Sequence, residues 1–124
     1  MKSYLQILLF NDGFWAFVWY KVSHWLYMHH LKIIALFIMH RVKIKRGIEI
    51  HPACYIGRNL LIDHGVGVVI GETTIIGDNC LIYQGVTLGG TGKETGKRHP
   101  TIGNNVMISA GAKVLGSFKI GDNS

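Results

Sequence analysis

Residues 62–100 read IDHGVGVVIGETTIIGDNCLIYQGVTLGGTGKETGKRHP, Ile62 to Pro100. This stretch holds the clearest repeat in the chain, its longest Gly-rich interruption, and two histidines flanked by charge, Asp63-His64 and Arg98-His99. Stepping back by six from Ile62 gives Ile56 and Ile50, and stepping forward gives Val68. The count then slips by two and resumes at Ile70, Ile76, Ile82 and Leu88; after 89–100 it resumes again at Ile102, Ile108, Val114 and Ile120. Gly follows the aliphatic at Gly57, Gly71, Gly77, Gly89, Gly103 and Gly121, and two residues before it stand Cys54, Thr74, Cys80 and Ala112, or valine at Val66, Val86 and Val106.

An α-helix repeats near 3.6 residues and a half-buried strand repeats at 2, so neither gives a period of six. A β-solenoid does, with one aliphatic pointing inward from each short strand and a corner after it. The corner glycines are expected to supply positive φ. Three faces close one coil, which predicts about four coils from residue 48, each touching only its neighbours. A β-sandwich is disfavoured, because its strands keep no fixed period. The segment Gly89–Pro100 exceeds one face by eight residues and is strongly polar. It is expected to leave the prism as a loop, and long loops on rigid scaffolds commonly carry function.

The 124 residues bound a single domain with a helical cap. Met1–Phe10, Phe14–His30 and Leu31–Val42 read as helices, with a start signal at Asn11-Asp12-Gly13. The division expected is 1–46 helical and 47–124 solenoid, with a protruding loop over 89–100. Charged residues and histidines interrupt both apolar helices before the ~18 residues that a membrane span needs. Packing against the prism and neighbouring subunits is therefore expected, rather than membrane attachment. The net charge of +6 gathers at Arg41, Lys43, Lys45 and Arg46 and at Lys93, Lys97 and Arg98. No nucleic-acid motif accompanies it. Cys54 and Cys80 fall on inward small-residue positions, which suggests two buried thiols, a reducing compartment and a cytoplasmic location. No signal peptide is evident.

His64 follows an inward Ile62 at a corner, with Asp63 and Glu49 as the carboxylates near enough in the repeat to orient it as a general base. Arg98 offers a planar fork for a carboxylate, and His99 offers a hydrogen bond to a developing oxyanion. His24, His29, His30, His40 and His51 read as polar surface or structural hydrogen-bonding groups. No G-x-S-x-G nucleophile motif is present, so direct attack by an acceptor is simpler than a covalent enzyme intermediate.

At these residues the chain resembles the bacterial serine O-acetyltransferases, within the hexapeptide-repeat acyltransferases. The likeness covers about residues 4–124, and its specific motifs are D-H-G-x-G-x-V-x-G-E-T at Asp63–Thr73 and G-V-T-L-G-G-T-G-K with R-H-P at Gly85–Lys93 and Arg98–Pro100. The resemblance implies a mainly β fold, a left-handed parallel β-helix with an N-terminal helical region, in trimers with active sites between subunits. It implies acetyl transfer from acetyl-CoA to the L-serine hydroxyl, without a metal, for cysteine biosynthesis. The catalytic histidine falls on His64, its acid partner on Glu49 and a second active-site histidine on His99. The substrate amino group falls to Asp63 and the carboxylate to Arg98; CoA runs near Gly90 and Ala110. Family members begin with a longer helical region and continue past Ser124 with further coils and a tail that docks the next enzyme of the cysteine pathway in many members. That docking is not expected of these 124 residues. Three alternatives stay open: transfer to a sugar or other small acceptor, a non-catalytic remnant, and a zinc site between subunits, for which His64 and His99 supply two ligands.

Overall fold

The computed structural model describes residues 5, 6, 10–92 and 95–124. The helix expected over Met1–Phe10 lies mostly outside the described residues. Helix α1 (Asp12–Met28) opens on Asn11, whose side chain accepts a hydrogen bond from the Phe14 N–H at 2.8 Å, as an N-cap does. Helix α2 (Lys32–Arg46) runs four residues past the expected end at Val42 and stops at Gly47, where φ is +71° and the N–H returns to the Lys43 carbonyl at 2.9 Å. Its last turn carries Lys43, Lys45 and Arg46, cations that suit a helix C-terminus. Arg46 closes on Asp12 at 2.8 Å and ties the end of α2 to the start of α1. Among the described residues no helix is long and apolar enough to cross a membrane.

Among the described residues eleven short strands follow: β1 (Glu49–Ile50), β2 (Tyr55–Ile56), β3 (Leu61–Asp63), β4 (Val69–Ile70), β5 (Ile75–Ile76), β6 (Leu81–Tyr83), β7 (Thr87–Gly89), β8 (Thr101–Ile102), β9 (Met107–Ile108), β10 (Lys113–Leu115) and β11 (Lys119–Ile120). They form three parallel sheets in the orders β1-β4-β7-β10, β2-β5-β8-β11 and β3-β6-β9. Each coil gives one strand to each sheet, the arrangement of a parallel β-helix: three full coils and two strands of a fourth. Register aligns Ile50 with Ile70, Leu88 and Val114; Ile56 with Ile76, Ile102 and Ile120; and Ile62 with Ile82 and Ile108. These columns are the core, and from Ile50 to Leu88 the first is essentially fully buried. Each such side chain contributes about 1.5–3 kcal/mol relative to exposure. Both cysteines lie free and buried among them, and burial pushes the Cys54 thiol up to about 12.

Two readings of the repeat are corrected. Ile70, not Val68, occupies the next rung after Ile62; the two extra residues widen the corner 64–67, and Val66 is 65% exposed rather than inward. The second correction concerns the glycines after each aliphatic, which do not have positive φ. Gly57, Gly77 and Gly103 are glycine because a Cβ would collide with the backbone or the Asp78, Asn104 and Asp122 side chains of the next coil. Positive φ is taken two residues later by Asn59, Asn79, Asn105 and Asn123, at 57–62°. Asparagine tolerates that region best among residues with a Cβ.

The helices close the first coil. Tyr20 is buried and its hydroxyl donates to the Cys54 carbonyl at 2.6 Å while accepting from the Ile56 N–H at 3.0 Å. His24 Nδ1 meets the Pro52 carbonyl at 2.8 Å. Backbone groups with no coil beneath them are thereby satisfied, the capping that a solenoid end requires.

Candidate active site

A cavity of about 480 Å³ opens between α2 and the corner where the first sheet turns into the second; Lys43, Glu49, His51, Glu72, Arg98 and His99 are among the residues that line it. The 18-residue coil plus the eight-residue excess places Arg98 over Glu72 and His99 over Thr73, because Ile102 lies over Ile76. The loop therefore leaves at Gly89 and returns its last residues to the prism wall.

His99 is 8% exposed. Its Nδ1 accepts from the Thr73 N–H at 3.1 Å and lies 2.7 Å from the Thr73 hydroxyl. That hydroxyl also accepts from the Arg98 and His99 N–H groups, each at 3.0 Å. The other edge of the ring rests on Gly71, where a Cβ would overlap Nε2 and Cδ2. Burial, with Arg98 and Lys97 nearby, holds the imidazole below the usual histidine range. Lys97 donates from Nζ to the His99 carbonyl.

Arg98 donates to Glu72 Oε1 at 2.7 Å and to the Gly96 carbonyl at 3.3 Å. The hydrogen bond from Arg98 holds the Glu72 carboxyl below its usual range. Glu49 points outward from β1, and Lys43 of α2 approaches its carboxylate at 2.6 Å, with both side chains about half exposed. His51 accepts from the Ala53 N–H at 3.0 Å. Burial lowers its pKa, against the pull of Glu72.

His64 and Asp63 lie elsewhere. Asp63 ends β3 and His64 follows it, before β4, at the corner between the third and first sheets. His64 has φ of +63° and a 71% exposed side chain, and its Nε2 is 3.9 Å from Asp63 Oδ1, beyond hydrogen-bond range. Ala110 shares that corner, between β9 and β10, and is exposed. Gly90 lies at the cavity corner, beside the Arg98 backbone. One chain thus gathers Glu49, Arg98, His99 and Gly90 at one corner and Asp63, His64 and Ala110 at another. Among the described residues no group of three His, Cys, Asp or Glu side chains is disposed to hold a metal ion.

Sequence reasoning gave no role to Glu72 or Thr73 and treated His51 as structural. The signal was present: adding 26 to Glu72 and Thr73, as the step from Ile76 to Ile102 requires, lands on Arg98 and His99.

No family model matches the chain. It is 57% identical over 122 residues, 98% of its length, to the serine acetyltransferase of Synechococcus elongatus, of which it covers 50%. It is 54% identical over 117 residues to the serine acetyltransferase of Helicobacter pylori, covering 94% of this chain and 68% of that protein. The chain spans about half the length of the first of these relatives. The solved serine acetyltransferase of Neisseria gonorrhoeae in complex with serine superposes with a TM-score of 0.94 at 44% identity, over 99% of this chain and 50% of that one. With rung spacing, corner motifs and loop base all accounted for in one fold, the chain belongs to the serine acetyltransferase family.

Proposed function

We propose that this chain carries the catalytic centre of an acetyl-CoA-dependent serine O-acetyltransferase, acting in the cytoplasm in cysteine biosynthesis. The observation that carries the reading is the identity of 54–57% to named serine acetyltransferases. In this reading His64 takes the proton from the serine hydroxyl, whose oxygen attacks the thioester carbonyl carbon. His99 donates to the oxygen that gains charge, the C–S bond breaks, and the departing CoA sulfur takes the proton back from His64. General-base help of this kind contributes about 100- to 10,000-fold. Glu49 orients His64, Asp63 receives the serine ammonium, Arg98 receives its carboxylate, and CoA runs past Gly90 and Ala110. No metal takes part.

The two corners would meet between copies of a homotrimer of left-handed β-helices, divided into 1–46 and 47–124, with His99 at the base of the 89–100 loop facing the next copy's His64. Two features support this. His64 and His99 occupy different corners of one chain, and Leu61, Leu81 and Met107 stack in register on the outer face of the third sheet, with Leu61 and Met107 each 55% exposed. An exposed apolar column of that kind suits a subunit contact. Two free buried cysteines suit a reducing cytoplasm.

The test is thiol release from acetyl-CoA by the folded, assembled protein. Serine-dependent release that disappears in His64→Ala is expected. No release from a folded assembly, or a sugar preferred over serine, overturns the reading.

A further inference from the structure

The Thr73 hydroxyl has a complete hydrogen-bond account. A hydroxyl offers one proton and two lone pairs. The Arg98 N–H and the His99 N–H fill the lone pairs, both at 3.0 Å. Its own proton is then directed at the remaining neighbour, His99 Nδ1, 2.7 Å away. The backbone N–H of the same residue reaches the same nitrogen at 3.1 Å. Two donors converge on Nδ1, so that nitrogen carries no proton, and a neutral imidazole must then carry it on Nε2. That edge of the ring lies over Gly71, on the wall of the cavity.

We propose that Thr73 is a positioning residue that fixes His99 as the neutral Nε2–H tautomer, so that the ring donates toward the cavity and cannot accept there. The charged and titratable groups facing the ring are Arg98, Lys97, Glu72 and His51. The two cations and burial oppose a second proton, and only Glu72 favours one. The consequence separates the two histidines: His99 has no lone pair facing the cavity, so the base must be another group, which is His64. This consequence rests on the acetyl-transfer reading; the tautomer itself does not.

The experiment is long-range proton–nitrogen NMR of the histidine rings in the full labelled chain, titrated from about pH 8 to about pH 5 across the ordinary histidine range. Wild type and Thr73→Ser should show His99 with an acceptor-type Nδ1 and a protonated Nε2, neutral below the ordinary histidine pKa. Thr73→Val loses one of the two donors to Nδ1, so His99 should take its second proton at a pH about one unit higher, a tenfold shift in equilibrium. In thiol release, Thr73→Val should lower kcat about tenfold, the worth of one such hydrogen bond, with the serine KM unchanged, and Thr73→Ser should restore it. A wild-type ring protonated on Nδ1, or a Thr73→Val ring that titrates as wild type does, overturns the proposal. The wild-type spectrum decides even where Thr73→Val fails to fold. Absent turnover in every form would remove the acetyl-transfer reading and leave the tautomer result standing.

Discussion

Gly71→Ala puts one methyl group where the structure has no room for it. The added Cβ would overlap Nε2 and Cδ2 of His99. The ring cannot slide away freely, because Thr73 holds Nδ1 through both its N–H and its hydroxyl. Moving it breaks two hydrogen bonds at about 1 kcal/mol each, and residual strain brings the cost to roughly 2–3 kcal/mol. For a domain of this size that lowers Tm by roughly 5–15 °C. In the proposed mechanism His99 is the donor at the site where charge develops, and displacing it should cost about 100-fold or more in turnover. Gly121 is the internal control. It occupies the equivalent step of the ladder, also outside the left-handed region, and nothing lies within 4 Å of its added Cβ. Gly121→Ala should stay within about 0.5 kcal/mol of wild type. Calorimetry and thiol release on both variants decide the matter. A Gly71→Ala protein with wild-type Tm and turnover, or equal losses in both variants, would refute the reasoning.

Acid should destabilise the fold in a defined window. His51 and His99 are both held below the ordinary histidine range, chiefly by burial, so the unfolded chain binds protons first. Their contribution is complete above about pH 6.5 and is lost as pH falls through the native values; Tm should be level above neutrality, fall below it, and fall less steeply in His99→Gln. Tyr20→Phe leaves the Ile56 N–H and the Cys54 carbonyl without their partner, and urea unfolding should show a loss of about 1–3 kcal/mol. At Asn79, where φ is +58°, replacement by glycine should be nearly neutral and replacement by alanine should cost about 1–2 kcal/mol; equal midpoints for the two would refute the left-handed corner.

The ladder was legible because a β-helix repeats its geometry, and the inward isoleucines must repeat with it. The loop and both histidines flanked by charged residues were legible as interruptions of that period. Three things were not. The slip at His64–Gly67 could be assigned to Val68 or to Ile70, since both are aliphatic and both are buried; only strand register distinguishes them. The corner chemistry was misattributed in part because glycine serves two purposes, positive φ and close approach: after the second-sheet strands the asparagines take the first, whereas Gly67, Gly85 and Gly111 take it at the corner between the third and first sheets. Thr73 and Glu72 stayed hidden because their partners lie 26 residues away, across a loop whose excess length must be subtracted before the coils align.

The separation of the two histidines can itself be put to the test. The width of the first sheet stands between the His64 corner and the Gly71 corner that seats His99, about 15–20 Å at ~3.3 Å per residue. A base and an oxyanion donor must both come within hydrogen-bond reach of one substrate. In the proposed site, therefore, one copy's His64 corner meets the next copy's His99 corner. That contact joins unlike surfaces, and it must close into a ring or run on as a filament. A closed trimer allows complementation. His64→Ala assemblies and His99→Ala assemblies each lack one group at every site. If the two chains are unfolded, mixed equally and reassembled, a site is complete only where an intact His64 faces an intact His99. Random assembly makes about one site in four complete, so about a quarter of wild-type turnover should return. A site built within one chain would recover nothing, since every chain in the mixture is defective. Recovery near a quarter supports a site shared between copies, and none from well-assembled mixed trimers would place all the chemistry on a single chain.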